Sequence, residues 1–142
     1  MRNMVVAGGQ LGPISRDETK ASAVNRMIAL MHQAASRGAQ LIIFPELALT
    51  TFFPRWWVEN KTDFDHMFER EMPNEDVLPL FETSKKLNIA FHLGYAELTP
   101  DGHRYNTAIM VNNIGKIIGT YRKIHLPGPV SYTHLRAHET QS

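Results

Sequence analysis

The 142-residue sequence contains no cysteine. This absence excludes disulfide bonds, thiolate metal sites and a cysteine nucleophile within these residues. Long apolar runs are missing as well: none approaches the ~20 residues of a membrane-spanning helix. The apolar part of the first ten residues is too short for a signal peptide. Together these absences predict a cytoplasmic protein with no membrane partner.

No charge sign dominates either. Fifteen lysines and arginines face 14 aspartates and glutamates, for a formal net charge of +1. We therefore expect neither nucleic acid nor an anionic surface as partner. Hydrophobic residues at 43% and charged residues at 20% are typical of globular proteins. The length suits one domain with a sizeable core.

The first half of the sequence predicts a strand, a helix and a second strand. A short apolar run ending in glycines indicates a strand at about residues 3–9. Ser15 and Glu18 have the spacing of a capping box, and Gly38 supplies a helix stop. "QLIIF" predicts the second strand. The helix between them has one apolar face, formed by Val24, Met27, Ile28, Met31, Ala34 and Ala35.

Glu46 directly follows this second strand. Strand, helix and strand predict a right-handed crossover onto a parallel pair. Pro45 cannot donate to a sheet ladder, so pairing should stop there and leave Glu46 at the rim where ligands usually bind in α/β sheets. Glu46 is therefore a candidate general base. The alternative is a solvated acid that only ends a strand.

The second half predicts an aromatic loop, a helix and three strands. Residues 50–73 are irregular and aromatic, and residues 75–88 indicate a helix with Pro79 near its start. From residue 88 to about 126 the apolar period changes to two, with turn sequences "TPDGHR" and "NNIG" between the runs. We expect three successive antiparallel strands. The last places Lys123 and His125 on one face.

Two of these residues are candidates for chemistry on a substrate. Lys123 can stabilise negative charge that develops on a substrate oxygen. The alternative, which the pattern alone favours, is a charge that protects an edge strand from unwanted pairing. His125 can position substrate or tune the lysine, or it can form a hydrogen bond at a strand end. The pattern alone leaves both choices open.

Three further features have weaker signals. The aromatic residues from Phe52 to Trp57 can wall a pocket, or pack in a core or subunit contact. "GGQLG", residues 8–12, lies between a strand and a helix but lacks the G-x-G-x-x-G spacing of a nucleotide-binding loop. His134 and His138 are four apart without a third ligand, so a chance pair is favoured over a metal site.

Four segments together resemble the nitrilase superfamily of carbon-nitrogen hydrolases: "LIIFPELALTTFFPRW", "LGYAEL", "YNTAIMV" and "GKIIGTYRKIHLPG". The stretch after Glu46 is most similar to the N-carbamoyl-D-amino-acid amidohydrolases. This resemblance implies an α/β fold, the N-terminal part of a four-layer α-β-β-α sandwich, over residues 1–128. Residues 129–142 resemble a translated sequencing adapter. We expect them to be a non-homologous, disordered tail produced by a sequencing or assembly artefact.

The resemblance also implies a Glu-Lys-Cys triad that uses no cofactor and no metal. Glu46 matches the general base, Lys123 matches the lysine that stabilises the oxyanion, and His125 is a substrate-binding candidate. The cysteine has no counterpart, so we expect the printed chain to be inactive. The implied reaction converts an N-carbamoyl-D-amino acid and water to a D-amino acid, ammonia and carbon dioxide.

Other functions remain open at this point. Within the superfamily, the alternatives are another amidase, a β-ureidopropionase or a nitrilase. An alternative from a different functional class is that the chain is a non-catalytic fragment that retains the fold for subunit association. The resemblance implies a small-molecule N-carbamoyl or amide substrate, and a homo-oligomer, a dimer or a tetramer, for the full-length protein.

Overall fold

The structure is a computed structural model that describes residues 2–57 and 59–126. The expectations for residues 129–142, including His134 and His138, lie outside the described residues. Two α-helices and five strands occur in the described part. In chain order they are β1 Val6–Gly8, α1 Lys20–Ser36, β2 Leu41–Ile43, α2 Leu78–Leu87, β3 Ala90–Leu98, β4 Arg104–Val111 and β5 Ile117–Arg122.

The five strands form one sheet in sequential order. The first three strands are parallel to one another, and β4 is antiparallel to both of its neighbours, β3 and β5. The predicted parallel pair and the three successive antiparallel strands are therefore confirmed. The two parallel connections run through α1 and α2, because parallel strands need a crossover. The α/β class is confirmed.

The two helices bury their apolar faces in one continuous core with the sheet. Met27 and Met31 of α1, Leu80 of α2 and Phe91 of β3 are completely buried in this core. These positions follow the predicted helical period. Pro79 lies in the first turn of α2, where its missing N–H breaks no hydrogen bond.

The predicted N-cap of α1 is wrong. Thr19 caps the helix, because its hydroxyl accepts a hydrogen bond from the main-chain N–H of Ser22 at 3.2 Å. Ser15 instead begins a turn, in which its carbonyl accepts from the N–H of Glu18. The Glu18 carboxylate binds the guanidinium of Arg26 and the Ser22 hydroxyl. The turn separates Ser15 from the helix, so the capping-box spacing is met without a capping box.

The other face of the sheet carries apolar side chains that the described elements leave exposed. They include Val6, Ile43, Ile118 and Tyr121. One sheet with helices on one face supplies two layers of the expected sandwich. Among the described residues, no helix combines the length and apolarity needed to cross a membrane.

Candidate active site

Glu46 lies on a short arch over β3. The main-chain N–H groups of Phe44 and Ala48 donate to carbonyls of β3, at 3.0 and 2.9 Å. Between these two bonds the chain leaves the ladder, since Pro45 has no N–H to donate. Glu46 follows Pro45 on this arch. The predicted end of pairing at Pro45 therefore agrees with the hydrogen bonds.

The arch depends on a glycine beneath it. A Cβ built on Gly94 would lie 3.2 Å from the Cα of Glu46, 3.2 Å from the N of Leu47 and 3.3 Å from the carbonyl of Pro45. All three atoms belong to the main chain, so none can turn away. Leu47 itself has a φ of 48°. This left-handed conformation is uncommon outside glycine and often marks a functional site.

Lys123 reaches Glu46 from β5, the strand at one edge of the sheet. It immediately follows β5, and its main-chain N–H donates to the carbonyl of Asn106 at 2.8 Å. Its Nζ lies 2.7 Å from Oε1 of Glu46. The two predicted catalytic residues are 77 positions apart in the sequence and form an ion pair in the structure.

Stability does not account for this ion pair. The Lys123 and Glu46 side chains are 34% and 43% exposed. Exposed pairs of this kind contribute about 0–1 kcal/mol, because water and salt screen the attraction. The ion pair therefore adds little to the stability of the fold.

Asn106 is a site residue that the sequence reasoning missed. Its side-chain Nδ2 donates to Oε1 of Glu46 at 2.5 Å, and the residue is only 7% exposed. The available signal was a polar residue in "YNTAIMV" on the same strand face as Ala108 and Met110. A side-chain amide that is buried among small and apolar residues is expected to have a hydrogen-bond partner, because burying a polar group without one costs free energy.

A pocket of about 410 Å³ surrounds the ion pair. Lys123 and His125 both line it, so the predicted shared face agrees with the structure, and His125 is exposed there. His92, which the sequence reasoning did not single out, lines the same pocket. The complete lining consists of Glu46, His92, Gly94, Asn106, Ala108, Tyr121, Lys123 and His125.

The aromatic residues after the arch are absent from this lining. Phe53 is completely buried and packs against Phe64 and Phe68, with ring centroids 5.5 and 5.2 Å away. Trp57 is 70% exposed. The sequence left open whether these aromatic residues wall a pocket or pack in a core, and Phe53 packs in a core.

Neither of the other weak signals gains support from the described residues. Gly12 ends "GGQLG", whereas α1 begins only at Lys20, so the loop does not lead directly into a helix N-terminus. Thr19 already caps an N–H at that terminus. Within residues 2–57 and 59–126, no group of three histidine, aspartate or glutamate side chains is placed to hold a metal ion.

A second polar cluster anchors the end of β5 on the helix side of the sheet. Arg122 donates from Nε and Nη2 to the Glu97 carboxylate, at 2.8 and 2.7 Å, and Thr107 donates to it at 2.6 Å. Burial by itself raises the pKa of Glu97, but these hydrogen bonds outweigh it and hold the pKa below its usual value. The cluster fixes the strand that leads into Lys123.

The sequence model of the carbon-nitrogen hydrolases matches residues 5–142. The chain belongs to the carbon-nitrogen hydrolase family. Among curated relatives, a citrullinase from Francisella tularensis is 30% identical over 134 residues, 93% of this chain and 44% of its own length. An omega-amidase from Danio rerio is 29% identical over 118 residues, 80% of this chain and 40% of its own length. This carbon-nitrogen hydrolase chain thus spans less than half the length of either relative.

Solved structures support the same fold. A mutant amidase from Nesterenkonia sp. AN1 superposes with a TM-score of 0.77 at 20% identity, over 96% of this chain and 49% of that one. That structure carries the acetamide moiety of fluoroacetamide on its active-site cysteine. At this identity the likeness establishes the fold of this carbon-nitrogen hydrolase chain and no more.

Proposed function

We propose that the chain is part of an amidohydrolase that converts N-carbamoyl-D-amino acids to D-amino acids, ammonia and carbon dioxide. The observation that carries the proposal is the Glu46–Lys123 ion pair, which lies inside a pocket and contributes little to stability. Glu46 is the general base, Lys123 stabilises the oxyanion, and His125 contacts substrate at the pocket wall. The nucleophile is a cysteine thiol, which these 142 residues do not contain.

The proposed reaction has two half-reactions, and Glu46 transfers protons in both. The thiol sulfur bonds to the carbamoyl carbon while Glu46 takes the thiol proton, and the ammonium of Lys123 faces the negative oxygen. Glu46 returns the proton to the departing nitrogen, and ammonia leaves. Water then cleaves the acyl-enzyme, again with Glu46 as base. The resulting carbamic acid breaks down to the amine and carbon dioxide, so one water balances the reaction without a cofactor.

The proposed substrate class rests on the relatives and on the sequence resemblance. Citrulline, the substrate that the citrullinase's name gives, ends in a carbamoyl group, which favours a ureido substrate. The omega-amidase keeps a simple amide open as the alternative, together with a β-ureidopropionase or nitrilase activity. The enantiomer preference rests on the resemblance of the sequence after Glu46. We also propose a homo-oligomer for the complete protein.

One observation favours a candidate function of another class. The sheet face that carries Val6, Ile43, Ile118 and Tyr121 is apolar and exposed. Such a face is suited to protein contact. Without a cysteine, the chain would then be a non-catalytic fragment that keeps the fold for subunit association.

We propose that residues 129–142 are an artefact, and that the true coding sequence after the codon for Gly128 separates these functions. The protein in which this true sequence replaces residues 129–142 is called the extended protein below. We expect it to supply a cysteine at the end of a strand and to release ammonia from N-carbamoyl-D-amino acids faster than from the L-enantiomers, simple amides or nitriles. Faster release from an amide or nitrile would reassign the substrate. A stop codon without a cysteine would support the association role.

A further inference from the structure

We propose that Asn106 is a positioning residue that holds Glu46 and Lys123 in their working geometry. The inference deepens the proposed function and rests on it. Asn106 belongs to β4 and is 7% exposed, so water does not easily replace its side chain. Its two contacts reach both members of the ion pair.

The topology explains why such a residue is needed. Glu46 follows β2 and Lys123 follows β5, and two strands, β3 and β4, lie between them in the sheet. Gly94 has no side chain on the β3 face, so the Glu46 carboxylate crosses that strand and meets Asn106 on the next one. Asn106 on β4 lies between these two strand ends and contacts both Glu46 and Lys123.

Asn106 holds the lysine through its main chain and the glutamate through its side chain. Its carbonyl accepts the N–H of Lys123 at 2.8 Å. Its Nδ2 donates to Oε1 of Glu46 at 2.5 Å. A shift of either contact therefore changes the position of one charged group relative to the other.

The hydrogen bonds from Asn106 and Lys123 give the two oxygens of the Glu46 carboxylate different roles. Within the described residues, Asn106 and Lys123 both donate to Oε1 of Glu46, and Oε2 receives no hydrogen bond. Oε2 is thus the oxygen left to exchange a proton. The ammonium of Lys123 has three N–H donors, so two remain for a substrate oxygen.

The chemistry of an amide suits this position. Its NH₂ group donates without adding charge, so the pair keeps one carboxylate and one ammonium. An aspartate of the same size would place a second carboxylate at Oε1, and two carboxylates at this distance share one proton. The change Asn106→Asp therefore tests the donor without changing the volume.

The test measures ammonia release by the extended protein and its variants. We expect Asn106→Ala to lower kcat by about 10²-fold, the effect of roughly 1 Å of misplacement, with little change in KM. In Asn106→Asp the acid limb of the pH–rate profile should move to higher pH. Asn113→Ala is the matched control. It removes the same kind of side-chain amide, which donates to Asn88 at 2.7 Å and does not line the pocket, so its kcat and pH profile should match the parent.

The outcomes separate this inference from the proposed function. Suppose that the parent is active and that the Asn106 variants remain folded by thermal melting. If they then match Asn113→Ala in kcat and pH profile, the inference is wrong and the proposed function stands. If the parent acts on no carbamoyl, amide or nitrile substrate, the proposed function is wrong. The inference is then decided by the Asn106 side-chain amide signal in ¹⁵N-asparagine-labelled protein. A shift on Glu46→Leu supports the contact, and an unchanged signal contradicts it.

Discussion

Replacement of Gly94 by alanine tests how the arch presents Glu46. The added Cβ would lie 3.2 Å from the Glu46 Cα and 3.2 Å from the Leu47 N. Both are main-chain atoms, so the arch must move by a few tenths of an ångström to restore ordinary contact. Overpacking of this kind costs about 1–3 kcal/mol.

The same displacement should reduce catalysis by a modest factor. If about 1 Å of misplacement lowers the rate 10²-fold, a few tenths of an ångström lowers it about three- to sixfold. The assay is ammonia release by the extended protein, measured beside its thermal melt. We expect Gly94→Ala to lower kcat by that factor and to lower the melting temperature.

Gly119→Ala is the matched control for this change. Gly119 also lies in a strand, but a Cβ built on it meets nothing within 4 Å. Such a substitution should be neutral or stabilising by about 0.4–1 kcal/mol, since alanine reduces the freedom of the unfolded chain. If Gly94→Ala matched Gly119→Ala in both rate and melting temperature, the arch would not depend on Gly94.

Four further variants test the packing and the charges. Phe53→Ala should lower the free energy of unfolding by about 3–5 kcal/mol in denaturant titrations because Phe53 is completely buried, whereas exposed Trp57→Ala should change it by less than about 0.5 kcal/mol. Lys123→Met should abolish ammonia release yet shift that free energy by less than about 1 kcal/mol; a larger shift would make the ion pair structural. Because the pKa of Glu97 in the folded protein lies below its usual value of 4.5, the ionised carboxylate stabilises the fold. This contribution is fully present above pH 4.5 and is lost as the pH falls through the lower pKa of the folded protein. Glu97→Gln should therefore unfold with a shallower acid dependence, and an unchanged acid transition would contradict this.

The elements of the fold could be predicted from local patterns. The apolar period identified α1, α2 and the three antiparallel strands, and Pro45 located the end of pairing before Glu46. The N-cap was predicted wrongly because Ser15 and Thr19 are both suitable capping residues. Only the turn after Ser15, a matter of main-chain geometry, decides between them.

The site could be predicted only in part. Glu46, Lys123 and His125 follow from strand ends, from strand alternation and from the family resemblance. Asn106 was missed because its partner lies 60 residues away, on an arch that crosses β3. That contact depends on the register of β4 against β3 and on the missing side chain of Gly94. Neither can be deduced from a local period.

Replacement of Glu46 by glutamine tests whether Glu46 is the base for a cysteine nucleophile. Glu46→Gln keeps the shape and the hydrogen-bonding oxygen of the side chain but cannot take a proton. In the extended protein, we expect it to lower ammonia release from an N-carbamoyl-D-amino acid by at least about 10²–10⁴-fold, the usual contribution of general acid–base catalysis. Release within a few-fold of the parent rate would contradict the assignment.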